Sequence, residues 1–322
     1  MLPALWAKTV HVGNNRPAAG TTRWKHEIEC PSGAGAKSAA DPSDDHRTLS
    51  RGKAHRTSAA VPQLFDMELR ALRRDRAARI GAELFLFERA FADCLDRLAL
   101  VQRRFGRGLL IGCPDADWPK RLREFVDDVD VREPGRLFAR AAGGDSIVED
   151  DWTSSPASYD LVLAIGTLDS VNDLPRALAS VCGSLRAESL FLGAVSGGDT
   201  LPQLRAAMRA ADLVTGGASP HIHPRIEAAA LAPLLAQAGF VDPVVDVDRV
   251  PVSYSSLDRL IADLRRMGAT NLLGARSREN LSKPALAAAR ERFAETGDGN
   301  RTIETFEILH FAAWTPAAFA AA

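Results

Sequence analysis

The feature that most constrains the fold is the apolar run from Tyr159 to Gly166, which contains one acid and ends at a glycine. Such a run predicts a strand that is buried on both faces. Shorter runs at 108–112 and 189–195 are separated from it by helical segments, of which Leu174 to Leu185 is the clearest. Strands that alternate with helices predict a parallel sheet with helices on both faces. A ligand then binds at the carboxyl ends of the strands.

The rest of the chain continues this alternation. Helical periodicity is present at 67–104, 118–125, 201–213, 226–238, 256–267 and 284–293, and further strands are predicted at 129–131, 146–148, 244–250 and 302–312. The last two strands follow the fifth and suit an antiparallel edge. We therefore predict an α/β fold: a Rossmann-like, mostly parallel sheet of seven strands with helices on both faces, an antiparallel edge strand and a helical N-terminal extension.

Residues 1–60 differ from the rest in composition. From Pro31 to Arg56 the chain is rich in Ser, Gly, Ala, Asp and Lys and has almost no large apolar residue. Such a segment cannot bury enough surface to offset its chain entropy, so we expect a disordered tail before one folded domain at 61–322. Two explanations stay open. The tail is a targeting peptide, or the start codon is wrongly assigned and translation begins near Val61 or Met67.

The bulk composition excludes several classes of function. The net charge of −1 gives no indication of a nucleic-acid partner or of an anionic membrane surface. Four cysteines without a CxxC pair indicate reduced thiols, not a disulfide framework or a zinc site. No apolar run is long enough to span a bilayer. His221 and His223 flank Ile222 with no acid nearby, so we interpret them as loop residues and assign no metal ligands.

The first helical segment is rich in arginine. Two interpretations of these residues stay open: a solvated helix face, which the pattern favours, and a basic lid that meets an acidic partner. The arginines are Arg70, Arg73, Arg74, Arg76 and Arg79.

Several short segments carry a resemblance to a known family. They lie between about residues 64 and 316 and include Phe65-Asp66, the "VNDLP" segment at 171–175, the "GGDTL" segment at 197–201 and the "GGASP" segment at 216–220. With these segments the chain resembles S-adenosylmethionine (SAM) dependent methyltransferases of the type-11 group. It is most similar to the methyltransferase-like mitochondrial complex I assembly factors that are protein-arginine hydroxylases, and to their bacterial relatives.

The resemblance implies a function. It implies S-adenosyl-L-methionine as the cofactor and methyl transfer to a protein or small-molecule acceptor. The alternative is a catalytically degenerate binding protein or an arginine hydroxylase that acts in respiratory complex I assembly, with a complex I subunit as its partner. The resemblance also implies a cytoplasmic location in a bacterium and the mitochondrial matrix in a eukaryote.

The cofactor loop departs from the family pattern, which is an acid followed by glycines in GxGxG spacing. Of that pattern only Gly112 is present at 110–116, and Pro114 stands at the second glycine. Proline removes an N–H group and fixes φ, so this loop approaches a cofactor differently. Gly112 and Cys113 are the predicted loop contacts. Glu133 follows Gly112 at the spacing expected for a ribose partner; the alternative is a surface glutamate before a proline turn.

The other candidate site residues also come from the resemblance. Asp150 is the candidate for the adenine amino group, the alternative being a solvated acidic loop, and Ile165 is the candidate at the end of the fourth strand. Asn172, Asp199 and Thr200 are the candidate substrate-binding residues. Asp199 or Thr200 is also expected to cap the helix that begins at Leu201. No catalytic residue is assigned, and Asp169-Ser170 stand where the family often has a His-Trp pair.

Overall fold

The computed structural model of this protein describes residues 63–153 and 155–317, so the predicted tail at 1–60 lies outside the described residues. The described part contains seven strands, β1 (Phe105–Ile111), β2 (Val126–Glu133), β3 (Asp145–Ser146), β4 (Tyr159–Ile165), β5 (Leu185–Ser196), β6 (Val241–Tyr254) and β7 (Thr302–Trp314). They form one sheet in the order β3-β2-β1-β4-β5-β7-β6.

The sheet confirms the predicted fold class. Strands β1 to β5 pair in parallel, and β7 runs antiparallel between β5 and β6. The strand order reverses between β1 and β4, which places the expected ligand edge above the carboxyl ends of these two strands. Strand β4 is buried along nearly its whole length, as its apolar sequence requires.

The helices surround this sheet. Those of the described part are α1 (Met67–Ile80), α2 (Phe85–Val101), α3 (Trp118–Leu122), α4 (Arg136–Ala141), α5 (Leu174–Ser184), α6 (Pro202–Thr215), α7 (Ala228–Gln237), α8 (Leu257–Arg266) and α9 (Lys283–Glu295). The single helix predicted at 67–104 is two helices, because Gly81 ends α1 with φ +86°. Within the described ranges, no helix combines the length and apolar composition that crossing a bilayer requires.

Two apolar cores cover the two faces of the sheet. On one face α2 and α3 pack against the strands, where Phe91 stacks on Trp118 with 4.3 Å between ring centroids. On the other face α5 and α7 pack against Phe191 and its neighbours. A third cluster joins α6, α8 and α9 beyond the strand ends. The predicted helix layers on both faces are therefore present, and the third cluster forms a wall next to the ligand edge.

The start of α6 corrects one prediction. Neither Asp199 nor Thr200 caps the helix, because the N-cap position is Leu201, which has φ +62° and forms no side-chain cap. The first-turn amides of Gln203 and Leu204 instead donate to the Glu304 carboxylate at 3.2 and 2.8 Å. The cap is thus supplied by a strand about a hundred residues further along the chain, and a local pattern could not reveal it.

Candidate active site

The turn after β1 is packed tightly against β4. Gly112 has φ +84°, and a Cβ atom there would lie 2.2 Å from the carbonyl oxygen of Ile165 and 2.6 Å from Cγ2 of Thr167. A glycine is required at this position because no other side chain fits or adopts this φ without strain. The space beside Gly112 is therefore filled by the protein's own neighbouring strand.

Cys113, the second predicted loop contact, is also buried. Its backbone N–H donates to Glu133 at 2.7 Å, and its thiol donates to the carbonyl oxygen of Asp115 at 3.1 Å. Burial, reinforced by the nearby carboxylates of Glu133 and Asp115, raises the pKa of the Cys113 thiol. The side chain is accordingly a neutral thiol and not a nucleophile.

Glu133, the predicted ribose partner, is fully buried at the carboxyl end of β2. It forms a bidentate ion pair with Arg74 of α1: Nε lies 2.7 Å from one carboxylate oxygen and Nη2 lies 2.6 Å from the other. The backbone N–H groups of Cys113 and Gly135 donate to the same carboxylate at 2.7 and 2.9 Å. The alternative of a surface glutamate is wrong. Four protein donors already use this carboxylate.

A second buried ion pair lies beside the first. Arg70, one helical turn before Arg74, donates from Nη1 and Nη2 to Glu149 at 2.6 and 2.9 Å, and from Nη2 to the carbonyl oxygen of Thr167 at 3.1 Å. Burial by itself lowers the pKa of Arg70, but the adjacent Glu149 carboxylate outweighs this effect and the pKa is raised. The solvated-face interpretation of the arginine-rich helix is therefore wrong for Arg70 and Arg74, whose acidic partners belong to the same chain.

Asp150 and Asn172 anchor the chain in front of α1. Asp150 accepts from the backbone N–H groups of Asn172 and Asp173, each at 2.9 Å, and from the Asn172 side chain at 2.9 Å. The Asn172 amide oxygen accepts from the backbone N–H of Phe65 at 2.7 Å, and its NH₂ group donates to the Phe65 carbonyl at 3.2 Å. Asp150 is thus not a freely solvated loop acid, because its carboxylate accepts these N–H groups.

A cavity opens on the other side of the two guanidinium groups. It encloses about 880 Å³, including its solvent-open mouth, above the carboxyl ends of β4 and β5. Of the predicted site residues, Ile165 and Thr200 line it, whereas Gly112, Cys113, Glu133 and Asp150 do not. The walls are mostly apolar, and the main lining side chains are Arg70, Arg74, Leu86, Phe87, Ile165, Asp169, Ser170, Thr200, His223, Arg225, Met267, Leu272, Phe306 and Glu307.

The predicted substrate residues are not brought together. Thr200 is buried, and its hydroxyl bridges the backbone of Glu307, accepting from the N–H and donating to the carbonyl oxygen, both at 3.0 Å. Asp199 lies outside the cavity with 67% of its side chain exposed, 3.1 Å from Arg249. Asn172 is engaged with the segment before α1, and it does not line the cavity either.

Arg225 and His223 are functional candidates that sequence reasoning missed. Arg225 donates to Asp169 at 2.8 Å, so the acid that stands in the family's His-Trp position is half of a buried ion pair. Burial lowers the pKa of Arg225, and the Asp169 carboxylate opposes this shift. The His223 ring accepts from the backbone N–H of Leu272 at 2.7 Å. Burial, and then the Arg225 charge, lower the pKa of His223 to about 4, so the ring is neutral at pH 7.

The two histidines of the "SPHIHP" segment have separate partners. His221 lies 2.8 Å from Asp212, while His223 packs edge-on against the Phe65 ring, with 5.3 Å between centroids. Among the described residues, no three His, Cys, Asp or Glu side chains converge as a metal site.

Fold and site together define a class of protein. The sheet order, with β7 inserted antiparallel between β5 and β6, is that of class I SAM-dependent methyltransferases. An acid at the end of β2 and a cavity at the carboxyl edge of the sheet are the corresponding site features.

The comparisons with known proteins give the family. A family model described as "Methyltransferase domain" matches residues 83–243. The mouse protein named arginine-hydroxylase NDUFAF5, mitochondrial, is 31% identical over 280 residues, which cover 80% of this chain and 79% of that protein. The malonyl-[acyl-carrier protein] O-methyltransferase of Laribacter hongkongensis is 31% identical over 77% of this chain and 84% of its own length.

Solved structures are similar as well. The YcgJ protein of Bacillus subtilis gives a TM-score of 0.47 at 11% identity, over 69% of this chain and 97% of that protein. On the strength of the family model and the sequence relatives, the chain belongs to the SAM-dependent methyltransferase family and is related to NDUFAF5. The resemblance stated from the sequence is thereby confirmed, and the cofactor of this family is S-adenosyl-L-methionine.

The conformation described here does not receive that cofactor at the predicted contacts. Glu133 lies at the expected place and is of the expected type, but its oxygens are bonded to Arg74 and to two backbone N–H groups. Gly112 faces β4, and the cavity does not reach it. A nucleoside cannot hydrogen-bond to Glu133 while Arg74 keeps its present position.

Proposed function

We propose that this protein is a SAM-dependent methyltransferase that holds its methyl acceptor in the cavity above β4 and β5. The observation that carries this proposal is the cavity itself, which opens at the sheet edge where the family's chemistry is located. Apolar walls with a few polar groups are typical of sites that bind small molecules or single side chains. The proposal includes the altered loop at 110–116, which holds the cofactor differently from the glycine-rich loop of the family pattern.

The lining describes the acceptor. Leu86, Phe87 and Met267 form an apolar wall. The carboxylates of Asp169 and Glu307, which are paired with Arg225 and Arg249, lie on the wall of β4, β5 and β7. Such a site suits an acceptor with an apolar body and a polar end, that is, a protein side chain or a small metabolite. Methyl transfer depends chiefly on alignment and exclusion of water, so positioning by these walls is the contribution expected of the protein.

A second candidate function rests on the relatives. The mouse relative is named an arginine hydroxylase, and the buried carboxylates of this site already bind guanidinium groups of their own chain. We keep arginine hydroxylation, or binding of an arginine-bearing partner such as a complex I subunit, as the alternative. Hydroxylation needs oxygen and a reductant, which methyl transfer does not. The proposed location of the protein is the cytoplasm if it is bacterial and the mitochondrial matrix if it is eukaryotic.

A SAM titration by calorimetry tests the proposal. Glu133→Gln is expected to weaken SAM binding by about tenfold or more, because the ribose hydroxyls lose an anionic acceptor. Asp128→Asn, the same change at an exposed position of the same strand, is the matched control and is expected to bind like the wild type. Methyl transfer is then followed as the mass gain of one methyl group on an acceptor incubated with enzyme and SAM.

The mass gained by the acceptor distinguishes the two candidate functions. An oxygen-dependent gain of one oxygen atom on an arginine, without a methyl gain, contradicts methyl transfer and establishes the alternative. Equal SAM affinity of the wild type and Glu133→Gln, with Arg74→Gln also binding like the wild type, contradicts the assigned role of Glu133.

A further inference from the structure

Helix α1 is held in place by charged groups more than by apolar burial. Its buried residues are Arg70, Arg74, Asp75 and Ala77, of which one is apolar. Leu72, one of its larger apolar side chains, is 62% exposed. A helix that docks through a hydrophobic stripe would instead bury its apolar side chains and expose its charged ones. The docking of α1 therefore depends on specific ionic and hydrogen-bonding partners.

Those partners coincide with the cofactor side of the site. Arg74 binds Glu133, the predicted ribose partner, and Arg70 binds Glu149, the neighbour of Asp150. A further contact from the same helix holds the start of α4, where the N–H of Leu137 donates to Asp75 at 2.9 Å.

Arg74 is also closely packed, because two glycines lie against it at positions where a Cβ atom would leave too little space. A Cβ atom built on Gly135 would lie 2.7 Å from Cβ of Arg74, and one built on Gly268 would lie 3.3 Å from its Cα. Gly268 has φ +71°, which also favours glycine at the end of α8. Two glycines thus allow α1 to approach closely from both sides.

We propose that α1 is a gate for the cofactor site, in which Arg74 is an internal ligand of the Glu133 carboxylate that SAM needs, while Arg70 holds the helix beside it through Glu149. This inference rests on the proposed function. Docked α1 and bound SAM exclude each other at Glu133, because both require its two oxygens. A buried carboxylate is not left without a donor, so arginine release and cofactor binding are coupled.

The gate lowers the apparent affinity for SAM. A protein whose competent state is only partly populated binds its ligand more weakly by the fraction that is competent. Removing the internal ligand must therefore tighten binding, which a merely structural helix would not do. Gly81, with φ +86°, ends α1 and is where the proposal places the movement of the helix, while the Phe65 segment before α1 stays held by Asn172.

The test measures SAM affinity by calorimetry and hydrogen exchange of the α1 amides by mass spectrometry, on the full chain. Arg74→Gln is expected to bind SAM about tenfold tighter than the wild type. Arg79→Gln, an exposed arginine on the same helix, is the matched control and is expected to leave the affinity unchanged. Saturating SAM is expected to speed exchange across α1 in the wild type and to leave α7 unaffected.

A second variant guards against misfolding of the first. Gly135→Ala keeps every charge but places a methyl group 2.7 Å from Cβ of Arg74, so it is expected to speed exchange in α1 without any ligand. Equal SAM affinity of wild type and Arg74→Gln, with α1 exchange unchanged by SAM, overturns the gate and leaves the methyltransferase proposal standing. Absence of SAM binding in the wild type, Arg74→Gln and Gly135→Ala alike overturns the proposed function, and the gate with it.

Discussion

The two halves of the sheet's carboxyl edge differ in what fills them. Above β1, β2 and β3 the space is closed by two guanidinium–carboxylate pairs contributed by α1, and Glu133 is fully buried there. Above β4 and β5 the edge remains open as a cavity. The half that contains the predicted cofactor contacts is thus filled by the protein, and the half proposed to hold the acceptor is not.

The largest expected effect comes from removing the Arg74–Glu133 ion pair of the closed half. Glu133→Ala leaves Arg74 buried without its carboxylate, and removal of one partner of a buried pair typically costs about 3–5 kcal/mol. We expect a loss of that size in the free energy of unfolding, measured by urea denaturation. Arg104→Gln is the control, since its pair with Asp127 is more than half exposed. That change is expected to cost less than about 1 kcal/mol.

A comparable loss for the two variants would mean that burial does not distinguish these pairs. In that case the contrast between the closed and open halves would have no energetic basis.

The next effect concerns His223, which lines the open half. Its pKa in the folded chain is lowered to about 4 from an ordinary 6.5, so the unfolded chain binds the extra proton first as pH falls. Stability is therefore complete above about pH 6.5 and falls as the pH drops toward 4, by roughly 3 kcal/mol in total.

Urea denaturation between pH 7 and pH 4 measures this loss. His223→Gln keeps an acceptor for the N–H of Leu272 and is expected to flatten the profile. A profile of unaltered slope in His223→Gln would assign the acid sensitivity to other groups and remove His223 from the description of the open half.

The smallest expected effect sharpens the contrast between two kinds of buried carboxylate. Among the described residues, the hydrogen bonds that Glu304 accepts come from backbone N–H groups, including those of Gln203 and Leu204 at the start of α6. Glu304→Ala removes this cap and is expected to lower stability by about 1–2 kcal/mol. Glu291→Ala, at an exposed position of α9, is the control for thermal unfolding and is expected to be near neutral. If Glu304→Ala lowers the free energy of unfolding as much as Glu133→Ala does, the guanidinium partner of Glu133 does not make its loss more costly.

The sequence predicts the parts of this molecule that depend on local pattern. The apolar run of β4 and the helical periodicity around it are enough for the fold class, because burial on both faces demands such runs. The location of Glu133 at the end of β2 also follows from its spacing to Gly112. Position along a strand is a local property, and it was predictable.

What binds each side chain is not a local property. Arg74 and Glu133 are 59 residues apart, and Glu304 caps a helix about 100 residues before it. A single sequence shows the arginines of α1 and shows the acid, but not that the fold brings them together. Arg70 and Arg74 are four residues apart and so share one face of the helix. This spacing is equally compatible with a solvent-exposed face and with a face that contacts buried acids.

The link between Asp150, Asn172 and Phe65 has a consequence for how family signatures are used. Asn172 of the "VNDLP" segment is a candidate substrate-binding residue by resemblance, yet its side chain joins the loop after β4 to the residues that precede the first helix. In this chain the segment therefore has a structural role, because it ties the loop after β4 to the start of α1. The presence of such a segment indicates how the scaffold is held together, and an assay is needed to establish the chemistry.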